Sequence, residues 1–199
     1  MTVEFRSCAG DEHAGIGAVQ RANRGALCYN AAAMWTARRI LKELADPERR
    51  RTILTHFWKS AETQHRLTVQ QHLARAMKFR EETIRKMPPE KKADLLAARM
   101  DPELEQFLEM ALMQYHTQTK SAMMAAFLDR WHVPHENGSI ETDDYTPPTA
   151  DQVRDAVKAL EGEYDPADVR IYLATAGLLM ADAWRDATWP VVDELTTKE

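Results

Sequence analysis

One stretch decides the fold: from Asp101 to Trp131 the chain reads DPELEQFLEMALMQYHTQTKSAMMAAFLDRW. It opens with an aspartate suited to a helix N-cap, a proline at the first helical position and an acid in the first turn. No further glycine or proline occurs before Trp131, and apolar residues recur at helical spacing on more than one side. The stretch predicts a helix of roughly 45 Å, at about 1.5 Å per residue, with neighbours on at least two faces.

A second long helix is predicted upstream. Asp46-Pro47-Glu48 repeats the same start signal, and apolar residues continue at helical spacing to about Met87, just before Pro88-Pro89. About forty residues is long for one globular helix, so a kink is expected. Joined by a short helical piece, the two long helices should bury their apolar faces against each other. We therefore expect a long antiparallel pair over about 47–87 and 101–131.

The chain before this pair gives a weaker signal. Residues 26–45 predict a helix, since leucines, alanines and Met34 recur at helical spacing. Residues 1–25 contain four glycines, and each would weaken a helix by about 1 kcal/mol relative to alanine. We interpret 1–25 as a poorly defined lead-in.

The chain after Trp131 changes character. Residues 132–148 are interpreted as an acidic loop, and Thr149 with Gln152 fits a capping box that opens a short helix. Asp165-Pro166 is a third Asp-Pro start, and its helix should stop before Pro190. Residues 196–199 are expected to form a mobile tail. Taken together, the chain 1–199 is predicted to be a single all-α domain, a helical bundle of five or six helices.

Composition narrows the class of protein. The 199 residues are 44% hydrophobic and 29% charged, with only seven glycines, as is typical of a folded helical chain. No apolar run reaches the eighteen or so residues that a membrane helix needs, and the N-terminus lacks the pattern of a secretory signal. Two cysteines are too few for a disulfide framework. Cytoplasmic residence is the resulting expectation.

Charge is divided unevenly along the chain. Residues 1–100 carry 19 Lys and Arg against 11 Asp and Glu, a net charge of +8, and residues 101–199 carry 7 against 20, a net charge of −13. Such a division predicts attraction between the two halves, within one chain or between two copies. A basic surface for nucleic acid is the alternative, but the chain is acidic overall and nucleic-acid binding is not expected.

A metal site between the long helices is one hypothesis. Glu62 and His65 form a Glu-x-x-His pair of the kind that ferritin-like di-iron bundles use, and His72 returns to the same helical face. On the partner helix Glu105, Glu109 and His116 share a face. These carboxylates and imidazoles would suit Fe, Mn or Zn. The alternative is that the histidines make ordinary hydrogen bonds and the glutamates are solvated, since only one Glu-x-x-His copy is present.

The loop after Trp131 is a second candidate. His132 and His135 could supply two imidazoles to a metal, with Pro134 stiffening their spacing. His135 and Glu136 could also act as an acid–base pair in a suitable pocket. The alternative is a helix exit that turns at Gly138 and continues as a solvated acidic connector.

Methionine and tryptophan suggest a third possibility, a cavity for an apolar ligand or haem. Core packing and a dimer interface are the alternative uses of these side chains. The residues concerned are Met110, Met113, Met123, Met124, Trp35, Trp58, Trp131 and Trp184.

Three functions follow as hypotheses, because the chain contains none of the common nucleotide-binding or hydrolase motifs. The first is a helical module that forms a homodimer or binds another protein. The second is a metal-binding bundle or metal-dependent enzyme. The third is a bundle that binds a small apolar molecule.

Overall fold

The computed structural model describes residues 34–140, 142 and 145–197. It confirms the all-α class, since nearly every described element is a helix. No helix in these ranges is both long and apolar enough to cross a membrane. The predicted lead-in 1–25 and the start of the helix predicted over 26–45 lie outside the described residues. The helices of the described part are α1 (Ala37–Glu43), α2 (Pro47–Ser60), α3 (Thr63–Met77), α4 (Glu81–Arg85), α5 (Pro89–Arg99), a 3-10 turn (Pro102–Leu104), α6 (Glu105–Thr119), α7 (Ser121–Asp129), α8 (Ala150–Leu160), α9 (Pro166–Leu179) and α10 (Asp182–Thr197).

The antiparallel pair is present. Helices α2 and α3 run in one direction while α6 runs in the other, so residue numbers rise on one side as they fall on the other. The facing pairs along it are His56 Nε2 with Gln118 Oε1 at 2.9 Å, the rings of His65 and Phe107 at 6.0 Å, and His72 Nε2 with Asp101 Oδ2 at 2.9 Å.

Neither member of the pair is continuous, and the predicted count of five or six helices is wrong for this reason. The first member breaks after Ser60, whose hydroxyl donates to the carbonyl of His56, and the second breaks after Thr119, whose hydroxyl donates to the carbonyl of Tyr115. Back-bonding of this kind bends helices. A third break follows Lys78, which adopts a left-handed conformation with φ 56° in a Schellman-type helix end. None of these sites carries glycine or proline, so propensity does not reveal them.

Two of the three Asp-Pro signals form the expected caps. Asp46 Oδ1 accepts the N–H of Arg49 at 2.8 Å, and Asp165 Oδ1 accepts the N–H of Ala167 at 2.8 Å. Asp101 caps no helix, because its carboxylate is bonded to His72 and only a 3-10 turn follows it. The capping box of Thr149 and Gln152 is formed as predicted and opens α8.

The helix opened by Asp165 ends earlier than predicted. It stops at Leu179, and α10 then runs from Asp182 through Pro190 to Thr197. A proline inside a helix removes one hydrogen bond, but α10 packs along both α8 and α9, and the Trp189 indole donates to the carbonyl of Ala174 at 3.2 Å. Packing therefore outweighs the local penalty. Of the predicted mobile tail, residues 196 and 197 belong to α10, and 198–199 lie outside the described residues.

The predicted acidic loop contains a small hairpin. Strands β1 (His135–Glu136) and β2 (Ser139–Ile140) pair in antiparallel fashion. Asn137 and Gly138 join them with φ values of 50° and 85°, the two positive values of a type I′ turn. A Cβ atom at Gly138 would lie 2.5 Å from Cβ of Met124, so the turn lies directly against α7.

An ionic network centred on one buried carboxylate joins three parts of the fold. Asp168 of α9 is 6% exposed and accepts from Arg49 Nε of α2 at 2.8 Å and from Lys120 Nζ, between α6 and α7, at 2.5 Å. Arg49 also binds both helix-capping aspartates, Asp46 at 2.5 Å and Asp165 at 2.8 Å. Arg49 belongs to the basic half of the chain and two of its partners to the acidic half, as the charge division predicts for contacts within one chain.

The closest helix approach gives a stability test. Gly177 of α9 faces Thr188 and Trp189 of α10, and an added Cβ would lie 2.5 Å from the Thr188 hydroxyl and nearer still to the indole. We expect Gly177→Ala to lower the free energy of unfolding by about 1–3 kcal/mol through overpacking, against a gain of up to about 1 kcal/mol in helix propensity. Urea denaturation measures the difference.

Gly162→Ala is the matched control for this substitution. A Cβ atom there would meet nothing within 4 Å, so its effect should be small. A Gly177→Ala variant as stable as Gly162→Ala would contradict the close packing of α9 on α10.

Candidate functional site

An apolar pocket opens between α6, α7, α9 and the hairpin. Its volume is about 250 Å³. Its mouth carries two large apolar side chains that remain exposed, Met113 at 47% and Leu179 at 41%. The side chains that form its walls include Met113 and His116 of α6, Met124 and Leu128 of α7, Ile140 of β2 and Tyr172 of α9.

Helical periodicity explains how the walls form. Met113, His116 and Thr117 of α6 are three and four residues apart, and Tyr172, Thr175 and Leu179 of α9 repeat that spacing. Residues at these intervals share one helical face. The fourth wall is the hairpin, which the Asn-Gly turn brings back against α7. The pocket is therefore a gap that three helix faces leave and a two-strand turn covers.

The lining is uncharged over the described part of the chain. Most of its surface is aliphatic, aromatic or thioether. Its polar side chains are those of His116, Tyr172, Thr117, Ser139 and Thr175. Pockets that bind small molecules share this composition, an apolar wall with a few polar groups that set orientation. The arrangement can hold a small apolar molecule, and it offers no counter-ion for a charged one.

His116 is the unusual side chain of this wall. It is 2% exposed, and its ring lies edge-on to the rings of Tyr115 and Tyr172, each at 5.6 Å between centroids. Neither ring nitrogen has a hydrogen-bond partner within the described residues. A buried polar group of this kind is uncommon in folded proteins.

Burial determines the charge of His116. Loss of water lowers the pKa of its imidazole to about 4, with a smaller contribution from Lys120 and an opposing one from Asp168. The ring is therefore neutral near pH 7, with one N–H donor and one nitrogen acceptor. Burial likewise raises the pKa of the Tyr172 phenol. The wall formed by α9 is therefore also uncharged.

The histidines of the predicted metal site lie at separate points along the antiparallel pair. His65 Nδ1 is 4.0 Å from Glu62 and its ring is beside Phe107. His72 lies between two carboxylates, Asp101 at 2.9 Å and Glu103 at 3.3 Å. His116 belongs to the pocket. Across the described residues, no three His, Cys, Asp or Glu side chains form a group that could hold a metal ion.

The glutamates of that hypothesis also stand apart from His116. Glu109 is half-buried on α6, and burial together with the neighbouring charge of Glu105 raises the pKa of its carboxyl. The backbone N–H of Arg38 donates to Glu105 at 3.2 Å. The Glu105 carboxylate thus binds the backbone at the start of α1.

The loop candidates belong to the hairpin. His135 Nδ1 accepts the N–H of Gly138 at 3.3 Å, and its Nε2 is 3.1 Å from Asp129. Both ring nitrogens are therefore occupied, one by a contact within the hairpin and the other by a contact with the end of α7. His132 is exposed with φ 56°, and Glu136 is exposed on β1. His132, His135 and Glu136 are therefore not among the residues that line the pocket, although the hairpin forms one of its walls.

The methionines and tryptophans divide between two uses. Met113 and Met124 line the pocket, as the apolar-ligand hypothesis expects. Met123 lies in the core and Met110 packs against it. Trp35, Trp58 and Trp184 are buried in the core, and Trp131 packs edge-on against Phe127.

Sequence reasoning missed two of the four walls. The hairpin had a usable signal, because Asn-Gly between short extended segments is the strongest short-range mark of a type I′ turn. The α9 wall had none, since Tyr172 and Thr175 follow the same apolar spacing as core residues.

The buried imidazole gives a pH test. An unfolded histidine has a pKa near 6.5, above the folded value of about 4, so the unfolded chain takes up the proton first as pH falls. The contribution of neutral His116 is complete above about pH 6.5 and is lost as pH falls toward about 4. Between about pH 7 and pH 4.5 we expect the free energy of unfolding to drop by roughly 2–3 kcal/mol from this group.

Urea denaturation of the native chain and of His116→Phe isolates that effect from other titrations. The variant lacks the group, so its stability should change less over the same interval. Equal changes in the free energy of unfolding of the two proteins would show that His116 is not buried as a neutral imidazole.

Comparisons of the chain with models of protein families, with curated proteins and with solved structures find no match.

Proposed function

We propose that this protein binds a small, largely apolar molecule. The observation that carries the proposal is the open pocket of about 250 Å³ whose described lining has no charged side chain. Apolar side chains at its mouth add to the argument, since Met113 and Leu179 leave surface exposed that a bound molecule would cover.

The volume limits the size of the ligand. A pocket of about 250 Å³ is smaller than the 300 Å³ or more of most drug-sized sites. It exceeds the engineered cavity of about 150 Å³ that binds benzene. A single aromatic ring or a short branched chain fits this interval.

The wall can adapt to its occupant. Met113, Met124 and Met180 all contribute to the lining, and methionine has an unbranched, flexible side chain with a polarizable sulfur. Such a wall tolerates different apolar shapes, so we expect the pocket to bind simple aromatic probes as well as its natural ligand.

Methyl NMR of the methionines tests the proposal. With ¹³C-methyl methionine in the chain and toluene as the probe, we expect saturable shifts of the Met113, Met124 and Met180 signals. Met77 and Met87 lie outside the lining, so their signals should stay in place. Binding would be contradicted if none of the three lining methyl groups responded.

A pair of tryptophan variants serves as the control. Met113→Trp adds bulk at the mouth and should abolish saturation. Leu67→Trp places the same side chain at another exposed apolar position, 38% exposed on α3, and should leave toluene binding unchanged.

Self-association through the pocket mouth is a second candidate. The exposed apolar pair Met113 and Leu179 would be covered by a second copy of the chain, as aromatic and methionine-rich interfaces are. We expect size-exclusion chromatography with light scattering to give a dimer mass that Met113→Glu reduces toward the monomer. Leu67→Glu is the control. A monomer mass at every concentration would end this candidate.

A further inference from the structure

Resting on the proposed function, we infer that the ligand is uncharged and carries a hydroxyl group that hydrogen-bonds to the ring of His116. The inference begins with the two unpartnered nitrogens of this ring. A buried donor and acceptor left unpaired destabilise a protein. A ligand hydroxyl can supply a partner, because it donates one hydrogen bond and accepts others.

The two threonine hydroxyls of the lining are already engaged. The Thr117 hydroxyl donates to the carbonyl of Met113 at 3.0 Å, and the Thr175 hydroxyl donates to the carbonyl of Ile171 at 2.7 Å. His116 has no such partner among the described residues. Both nitrogens of its ring would therefore gain from a polar atom on the ligand.

Charge on the ligand would be unfavourable. The lining holds no Lys, Arg, Asp or Glu over the described ranges. Lys120 and Asp168, the two charged groups whose fields act on His116, are bound to each other at 2.5 Å. A carboxylate in the pocket would lose its water without gaining a counter-ion, and such transfer is costly. An alcohol or a phenol avoids that cost.

The hydroxyl reaches the ring by displacing wall atoms. Both nitrogens are shielded from solvent. Met124 is 8% exposed and Met113 is 47% exposed, and both line the pocket beside His116. Rotation of these flexible side chains would let the ligand hydroxyl reach a nitrogen of the His116 ring without movement of the helices.

Toluene and phenol form the test pair, because they differ by one methyl in place of one hydroxyl. Their dissociation constants are measured by the methionine methyl shifts, with the native chain and with His116→Phe. We expect the preference for phenol over toluene to fall by about tenfold in the variant, the loss of one hydrogen bond. Toluene affinity itself should change little.

Two further proteins make the assignment specific to His116. Tyr172→Phe keeps the shape of the opposite wall and should keep the phenol preference. His116→Gln retains a donor and an acceptor and should restore part of it. Loss of the preference in Tyr172→Phe, with retention in His116→Phe, would overturn the assignment to His116.

The remaining outcomes separate this inference from the proposed function. If toluene binds and the preference is the same in both proteins, the hydroxyl contact is wrong while the pocket still binds apolar molecules. If benzoate binds more tightly than phenol, the ligand class is wrong. If none of the three probes binds, the proposed function fails together with the inference.

Discussion

The fold depends on how Asp168 is neutralised. A carboxylate 6% exposed is tolerated in a protein interior only when cations and hydrogen bonds surround it, and here Arg49 and Lys120 do so. Arg49 comes from the first turn of α2, Lys120 from the break between α6 and α7, and Asp168 from the first turn of α9. Three distant parts of the chain therefore meet at one carboxylate. The same guanidinium also binds the capping aspartates Asp46 and Asp165, which ties the starts of α2 and α9 together.

The pocket follows from that constraint. Lys120 lies at the break between α6 and α7 and its ammonium binds Asp168, so the two helices do not continue as one. Their two faces, together with α9, leave a gap that the hairpin covers. His116 lies one turn before Lys120 and belongs to the lining of this gap, and its buried ring nitrogens have no hydrogen-bond partner among the described residues. An apolar side chain at this position would avoid the unpaired donor and acceptor that the buried imidazole brings.

Sequence signals predicted the structure correctly wherever neighbouring residues determine it. The caps at Asp46, Asp165 and Thr149 are formed, and the antiparallel pair is present because its apolar stripes must be buried. Prediction failed where distant residues decide. At the break between α6 and α7, Lys120 binds Asp168, 48 positions away, and Pro190 stays helical where α10 packs along α8 and α9. His116 was identified as a chemical group, but its spacing alone could not distinguish a metal ligand from the wall of an apolar pocket.

The hairpin differs from the other walls in how it is held. Its ladder joins only two residue pairs, His135 with Ile140 and Glu136 with Ser139, and its turn rests on α7 through Gly138. Short ladders of this kind separate at a small fraction of the global unfolding free energy. This wall of the pocket can therefore open while the helices stay folded, so its opening and the unfolding of the bundle are separate events.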